Sequence, residues 1–286
     1  MTIRIITDST CDLPASLVAA HDITVVPCYI NMAGQSYLDG VELTREDFYA
    51  RLPTCDPPPT TSAPGIGNFI AAYTQAVAAG AEAILSIHIS AQLSNVVNVA
   101  RIAAEEFKAA PVTVIDAGQL TIGTGLLALT AAKAARDGRP MADILARIAE
   151  KAPRVHTHAA VDTLTYLQRS GRLSRFQSLM GAVLRIKPLL SMNDDHIEMG
   201  RKRTTARAMA WLRERAEALH PLEQLVILHT DAAERAAAFQ EQIAHLAPPE
   251  RVARTVGVTP VLGAHLGPGV IGFTAVQALT PQSLID

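Results

Sequence analysis

Polar residues stand directly behind apolar runs at several points in the chain: Thr7-Asp8-Ser9, Ser90 with Ser94, Asp116, and His229-Thr230-Asp231. In open α/β sheets ligands gather outside the carboxyl ends of the strands, so hydroxyls, carboxylates and imidazoles at these places can line one polar cleft. The same residue types also cap helices and form turns. Thr61 and Ser62 lie inside Pro59-Thr60-Thr61-Ser62-Ala63-Pro64, where prolines on both sides restrict the backbone. Such a loop either holds two hydroxyls ready for a ligand or is a rigid turn into a helix over 65–79. His265-Leu266-Gly267-Pro268-Gly269 sets a donor that titrates near neutrality beside glycines that let a ligand approach the backbone, or it is a tight turn between terminal strands.

Cationic residues concentrate in two further stretches. Gln168-Arg169-Ser170-Gly171-Arg172-Leu173-Ser174, with Ile186-Lys187-Pro188 behind it, puts an arginine in a glycine turn ahead of a helix, where a guanidinium can take a carboxylate bidentately. Arg201-Lys202-Arg203 with Arg207 is a basic cluster that serves as a docking patch or as a solvated helix start. The phosphate loop G-x-x-x-x-G-K-[ST], the nucleophile elbow G-x-S-x-G and the zinc helix H-E-x-x-H are all missing. Gly123-Thr124-Gly125-Leu126-Leu127-Ala128 matches a dinucleotide pattern but begins well after its strand, so it reads as small residues packing a helix closely. His156 and His158 share a strand face without a neighbouring cysteine or carboxylate to complete a metal site.

Around these groups the chain alternates short β-branched runs with helical patterns. Strands are expected at 3–6, 24–30, 83–89 and 112–115, apolar enough to be buried on both faces of a parallel sheet. Thr44 stands ready to cap a helix from 45, and Ser94 one whose Val96, Val99, Ala100, Ala103 and Phe107 share a face. Helices over 122–136 and 141–151 are split by Asp137-Gly138-Arg139-Pro140. Beyond Pro153 come a strand at 155–161, helical stretches at 163–168 and 174–184, and two strands around Asn193-Asp194-Asp195. A helix over 204–219, a strand at 225–229, a helix over 232–246 and strands near 252–256 and 270–274 complete the pattern. The expectation is α/β, with an N-terminal parallel-sheet domain over 1–152 and a second α/β domain over 153–286.

The 286 residues are 49% hydrophobic but only 4% aromatic, the aliphatic composition of helices packed on sheets, and this excludes disorder. A formal charge of -2 argues against a nucleic-acid binder held by a basic surface. Cys11, Cys28 and Cys55 are odd in number and lack zinc-like spacing, as in a reducing compartment. No run is long and apolar enough to cross a bilayer, and no leader-like start is visible, so a cytoplasmic location is expected.

These pieces, in this order, resemble the DegV family of bacterial fatty-acid-binding proteins. The resemblance rests on Ile6-Thr7-Asp8-Ser9 with Asp12-Leu13-Pro14, Val25-Val26-Pro27, Asp39-Gly40, Thr61-Ser62-Ala63-Pro64, Ser90 with Leu93-Ser94, Leu164 to Leu167 leading to Gly171-Arg172-Leu173-Ser174, Ile186-Lys187-Pro188, and His265 with Gly267-Pro268-Gly269. It implies a DegV-like two-domain fold with one long-chain fatty acid, C14 to C18, in a cleft between the domains. By the resemblance, Thr61, Ser94 and His265 bind the carboxylate with Arg172 beside them, and Asp8, Ser9, Ser62 and Gly267 line the cleft. It further implies no catalysis and no cofactor or metal. The partner that the resemblance implies is a separate ATP-dependent fatty acid kinase subunit, expected to dock on Arg203 with Arg201 and Lys202 and to make an acyl phosphate for phospholipid synthesis. Two places depart from the pattern: Asn95-Val96 replaces Gly-Thr after Ser94, and Ala63 stands where glutamine is common. The competing reading is a hydrolase or phosphotransferase that uses Asp8, His229 or His265 as acid or base.

Overall fold

The computed structural model of the protein describes residues 1–172, 186–248 and 253–279. They divide into two compact units, Met1–Ala152 with Val258–His265, and Pro153–Gly257 with the residues from Leu266 onward. Both are mixed α/β. The short segment Val258–His265, which the sequence pattern assigns to the second domain, packs with the first.

The first unit has a four-stranded parallel sheet in the order β2-β1-β6-β7, from β1 (Ile3–Asp8), β2 (Thr24–Val26), β6 (Ala83–His88) and β7 (Val112–Asp116). Every residue of β6 is buried, as a central strand requires. Helices α3 (Ile66–Ala78) and α4 (Val96–Glu106) pack on one another, while α5 (Ile122–Arg136) lies on β1 and against α6 (Met141–Lys151). α5 is buried on nearly all sides because its contact residues are small. At Gly125 a Cβ would stand 2.4 Å from the Cys11 carbonyl oxygen, so the helix touches the loop behind β1 with no room for a side chain.

The run expected as one strand over 24–30 is broken at Pro27, which has no N–H to continue the ladder. Its second half becomes β3 (Tyr29–Met32), the middle of a three-stranded antiparallel sheet with β4 (Gln35–Leu38) and β5 (Thr60–Ser62). The proline-flanked loop is therefore a strand at its centre. A helix α1 (Ala15–Ala20) follows Pro14, and α2 (Arg45–Arg51) opens at Thr44, whose hydroxyl accepts from the Asp47 N–H at 3.1 Å. Ser94 does not cap α4: the residue at the cap is Asn95.

The second unit is built on a six-stranded sheet, β10-β9-β8-β13-β11-β12. Its strands are β8 (Val155–Ala160), β9 (Lys187–Asn193), β10 (His196–Lys202), β11 (Leu222–His229), β12 (Arg254–Gly257) and β13 (Ile271–Gln277), antiparallel except for the β11–β12 pair. α7 (Thr165–Arg169) is short; α8 (Thr205–Ala218) and α9 (Ala233–Ile243) cover one face, where Leu212, Phe239 and Ile243 meet Ile227, Ile271 and Phe273. The helix α10 (Pro260–Leu266), nearly all of it in the segment that packs with the first unit, occupies part of the stretch between the last two strands. The helix expected over 174–184 and the start of the strand expected over 252–256 lie outside the described residues. Among the described residues no helix is long and apolar enough to cross a membrane.

His158 on β8 lies between Trp211 and Phe273, with ring centroids 5.6 and 5.2 Å away, and its Nδ1 pairs with Ser191 Oγ at 2.8 Å. Burial, with His156 and Arg215 nearby, pushes its imidazole down to about 4. A histidine lowered on folding binds fewer protons in the native state, so its stabilisation is present at neutral pH and is lost as pH falls from ~6.5 towards 4. Urea titrations from pH 7 to 4 are expected to show a loss of up to about 3 kcal/mol from this site that His158→Gln lacks; equal slopes in the two proteins would refute this. Gly125→Ala is expected to cost about 1 to 3 kcal/mol in the same assay, the usual penalty for overfilling a packed contact.

Candidate functional site

Thr61 and His265, two of the expected site residues, are in direct contact. β5 pairs with β3 through Tyr29–Ser62, Ile30–Thr61 and Asn31–Thr60. Strand alternation puts Thr60 and Ser62 on one face and Thr61 on the other. On the first face the Asn31 amide donates to Ser62 Oγ at 3.0 Å and to Thr60 Oγ1 at 3.4 Å. On the second, Thr61 Oγ1 stands 2.9 Å from Nε2 of His265, near the end of α10. Both residues are half-buried. One proton lies between the two atoms; with Nε2–H as its donor, the Thr61 hydroxyl keeps its own hydrogen to offer an oxyanion.

Ser94 belongs to the same unit, in the turn after β6. That turn is tightly held: Ser90 O accepts from Leu93 N (3.0 Å) and Ser94 N (3.1 Å), and Asp116 Oδ2 accepts from Ala91 N at 3.0 Å. Ser94 is half-buried, whereas Val96, at one of the departures from the family pattern, is buried and Asn95 is exposed, accepting from the Asn98 amide. Arg172 is in the second unit, with Nη1 on the Ser170 carbonyl (2.9 Å) and its backbone N–H on that of Leu167 (3.1 Å). Gly267 is fixed by Thr230 Oγ1, which donates to its carbonyl at 2.7 Å and accepts from Val270 N at 2.9 Å. With φ at +75° and Tyr166 filling the place of a Cβ, this position requires glycine. His229 Nδ1 accepts from Ala232 N at 3.2 Å and so closes the turn behind β11.

Asp8 is fully buried, and both its oxygens are engaged. Oδ1 accepts from Thr10 N (3.0 Å) and Thr10 Oγ1 (2.5 Å); Oδ2 accepts from Ile89 N (3.2 Å) and meets His88 Nδ1 at 2.9 Å. The far nitrogen of His88 reaches Ser86 Oγ at 2.6 Å, and Tyr73 Oη donates to the same hydroxyl at 3.2 Å. Burial pushes the Asp8 carboxyl up, but the His88 hydrogen bond and charge with the Thr10 donors outweigh it and leave the group below its usual value. Acid, histidine and serine in a row is the order of a nucleophile triad, yet Ser86 and His88 are wholly buried, so this row is internal wiring of the sheet. Ser9 holds the β2–β3 break, its Oγ accepting from Cys28 N at 3.1 Å.

Two further buried acids, Asp12 and Asp39, meet at Thr259. Asp12 Oδ1 accepts from Thr259 N at 2.8 Å and from Arg45 Nη2 at 3.2 Å, and Oδ2 from Thr121 Oγ1 at 2.6 Å. Asp39 Oδ2 accepts from Thr259 Oγ1 at 2.5 Å. Burial pushes Asp12 up to about 7 despite Arg45, and burial raises Asp39 as well. A cavity of about 590 Å³ reaches this pair, lined in part by Leu13, Val18, Val41 and Arg45. Asp12-Leu13-Pro14 and Asp39-Gly40 had been visible as motifs; nothing local connects either to Thr259.

Arg201 and Lys202 end β10, an edge strand, and Arg203 follows in the bend before Thr204 caps α8 by accepting from Arg207 N. Arg201 and Arg203 are exposed, and among the described residues neither they nor Lys202 form an ion pair. Among the described residues no group of three or more His, Cys, Asp or Glu side chains is arranged to hold a metal ion.

Comparison with known proteins gives this arrangement a context. A DegV domain-containing protein of Deinococcus radiodurans is 36% identical over 288 residues, 99% of this chain and 100% of the relative. One from Streptomyces coelicolor is 33% identical over 273 residues, 94% of this chain and 96% of the other. Among solved structures, a fatty-acid-binding DegV family protein from Thermus thermophilus superposes with a TM-score of 0.85 at 31% identity, covering 97% of this chain and 100% of that one. DegV of Bacillus subtilis, a fatty acid binding protein, gives 0.86 at 28% identity over the same shares. A model of the DegV family matches residues 2–278. With nearly its whole length matched by the family and by relatives of this identity, the chain belongs to the DegV family.

Proposed function

We propose that this protein binds one long-chain fatty acid, C14 to C18, with the carboxylate at Thr61 and His265. The observation that carries this reading is the 2.9 Å approach of Thr61 Oγ1 to His265 Nε2. The fatty-acid-binding relatives of Thermus thermophilus and Bacillus subtilis, alike over 97% of this chain, support it. Ser94 and Arg172 complete the headgroup contacts in this proposal, with Asp8, Ser9, Ser62 and Gly267 contributing less directly. Burying about fourteen methylenes yields on the order of 11 kcal/mol gross, enough to drive uptake of an acyl chain. The carboxylate must then be satisfied, because a buried one without donors is costly. Hydroxyl and imidazole donors do so, with Arg172 a neighbour rather than a tight ion-pair partner, which leaves the headgroup open to further chemistry.

That further chemistry is transfer of a phosphoryl group from ATP to the bound carboxylate by a separate kinase subunit. The acyl phosphate formed would feed phospholipid synthesis in the cytoplasm. The protein itself supplies binding and presentation. Exposed Arg201 and Arg203, with Lys202 between them, form the docking patch for the kinase in this proposal; their placement on an edge strand and the bend behind it leaves them open to an acidic surface.

Native mass spectrometry of gently purified protein is expected to show a co-purifying mass of about 230 to 285 Da, the range of C14 to C18 fatty acids. Thr61→Ala with His265→Ala is expected to weaken retention about tenfold or more, as loss of hydrogen bonds to a charged group does. Protein that is empty and takes up no added fatty acid would overturn the reading. Arg203→Ala is expected to keep lipid uptake and to lower phosphorylation of the bound lipid by the kinase subunit; an unchanged rate would remove Arg203 from the docking patch.

A further inference from the structure

The residue proposed to hold the headgroup, His265, comes from a segment that returns to the first unit after an absence of more than a hundred residues. An eight-residue return cannot be held in place by its own core, so its position depends on specific ties. Three are present. Thr259 N–H donates to Asp12 Oδ1 at 2.8 Å, Thr259 Oγ1 to Asp39 Oδ2 at 2.5 Å, and Tyr49 Oη to the Val258 carbonyl at 3.1 Å. Each spans more than two hundred residues of sequence. Tyr49 also presses on the middle of α10: a Cβ at Gly263 would lie 2.3 Å from its Oη, so the helix can neither sink nor turn there.

We propose that Asp12, Asp39 and Tyr49 are positioning residues for His265, fixing the start and the flank of α10 so that its imidazole arrives at Thr61. This rests on the reading that His265 meets the ligand carboxylate. The ties act on the first turn of the helix. Thr259 is anchored by its N–H and its hydroxyl, Pro260 follows with no N–H to satisfy, and Gly263 N donates to Thr259 O at 2.9 Å. With residue 259 held from both sides, the angle at which the helix leaves is set, and with it the place of residue 265. Two neighbouring buried carboxylates are an expensive means of holding a chain, and apolar side chains of similar size commonly give more stability. What carboxylates add is direction, since each accepts from one particular donor.

The test uses the whole protein labelled with ¹³C,¹⁵N-histidine, the His265 ring signals being assigned by comparison with His265→Gln. Thr259→Val and Asp39→Leu remove the hydroxyl tie from its donor and acceptor ends, and Tyr49→Phe removes the tie to Val258, each with little change of shape, so the fold is expected to survive. Each variant is expected to move the His265 ring signals of the ligand-free protein. Each is also expected to weaken uptake of cis-parinaric acid, followed by its fluorescence, at least about fivefold. Thr259→Ser is expected to restore both. Unmoved His265 signals in the folded variants, or failure of Thr259→Ser to restore them, would overturn the proposal. If the unaltered protein takes up no cis-parinaric acid, the binding reading fails, and the ring signals alone decide whether the ties position His265.

Discussion

A carboxylate taken out of water must be given donors, and the first unit is organised around that requirement at the carboxyl end of β1. Asp8, Asp12 and Asp39 are each nearly or wholly inaccessible to solvent. Asp8 takes donors from Thr10 and from β6 beside it in the sheet, while Asp12 and Asp39 draw theirs from more distant parts of the chain: Asp12 from Arg45, from the start of α5 and from residue 259, Asp39 again from 259. The apolar layers on either side of the parallel sheet supply the bulk of the burial, and aliphatic packing tolerates many arrangements. The acids select among them, because an unpaired buried carboxylate costs more than a rearranged leucine.

This division of labour explains which features were legible in the sequence. Helices α5 and α6 fall where the pattern puts them, because Asp137-Gly138-Arg139-Pro140 can be nothing but a break. Thr44 and Thr204 cap their helices through bonds that reach three residues. The strands of the parallel sheet announce themselves by unbroken aliphatic runs. These are local signals, written within a few residues of where they act.

What was not legible is what acts at a distance. His88 ends a run that reads correctly as a strand, but its partner Asp8 is 80 positions away, and spacing says nothing about such a pairing. The proline-flanked hydroxyls read as a loop because β5 has only three residues and owes its existence to β3. α10 was hidden by Gly263, Gly267 and Pro268, whose ordinary meaning is a turn. Gly263 is instead the residue that lets Tyr49 approach the helix. Thr61 and His265 were singled out separately, each from its own proline- or glycine-bearing run, and only the resemblance to a family joined them in one site; their contact is a property of the fold.

The return of Val258–His265 to the first unit has a bearing on how the chain is made. Domains generally fold as they leave the ribosome, N-terminal first. Here the N-terminal unit leaves the ribosome with Asp12 and Asp39 lacking the Thr259 donors, and it receives them only when nearly the whole of the second unit has been synthesised. A fragment ending at the apparent boundary, after Ala152, would lack the Thr259 donors permanently and leave Asp12 with Arg45 and Thr121 alone. The first unit thus begins first yet is interrupted by most of the second, which itself ends later with β13, and translation must reach α10 before the contact between Thr61 and His265 exists at all.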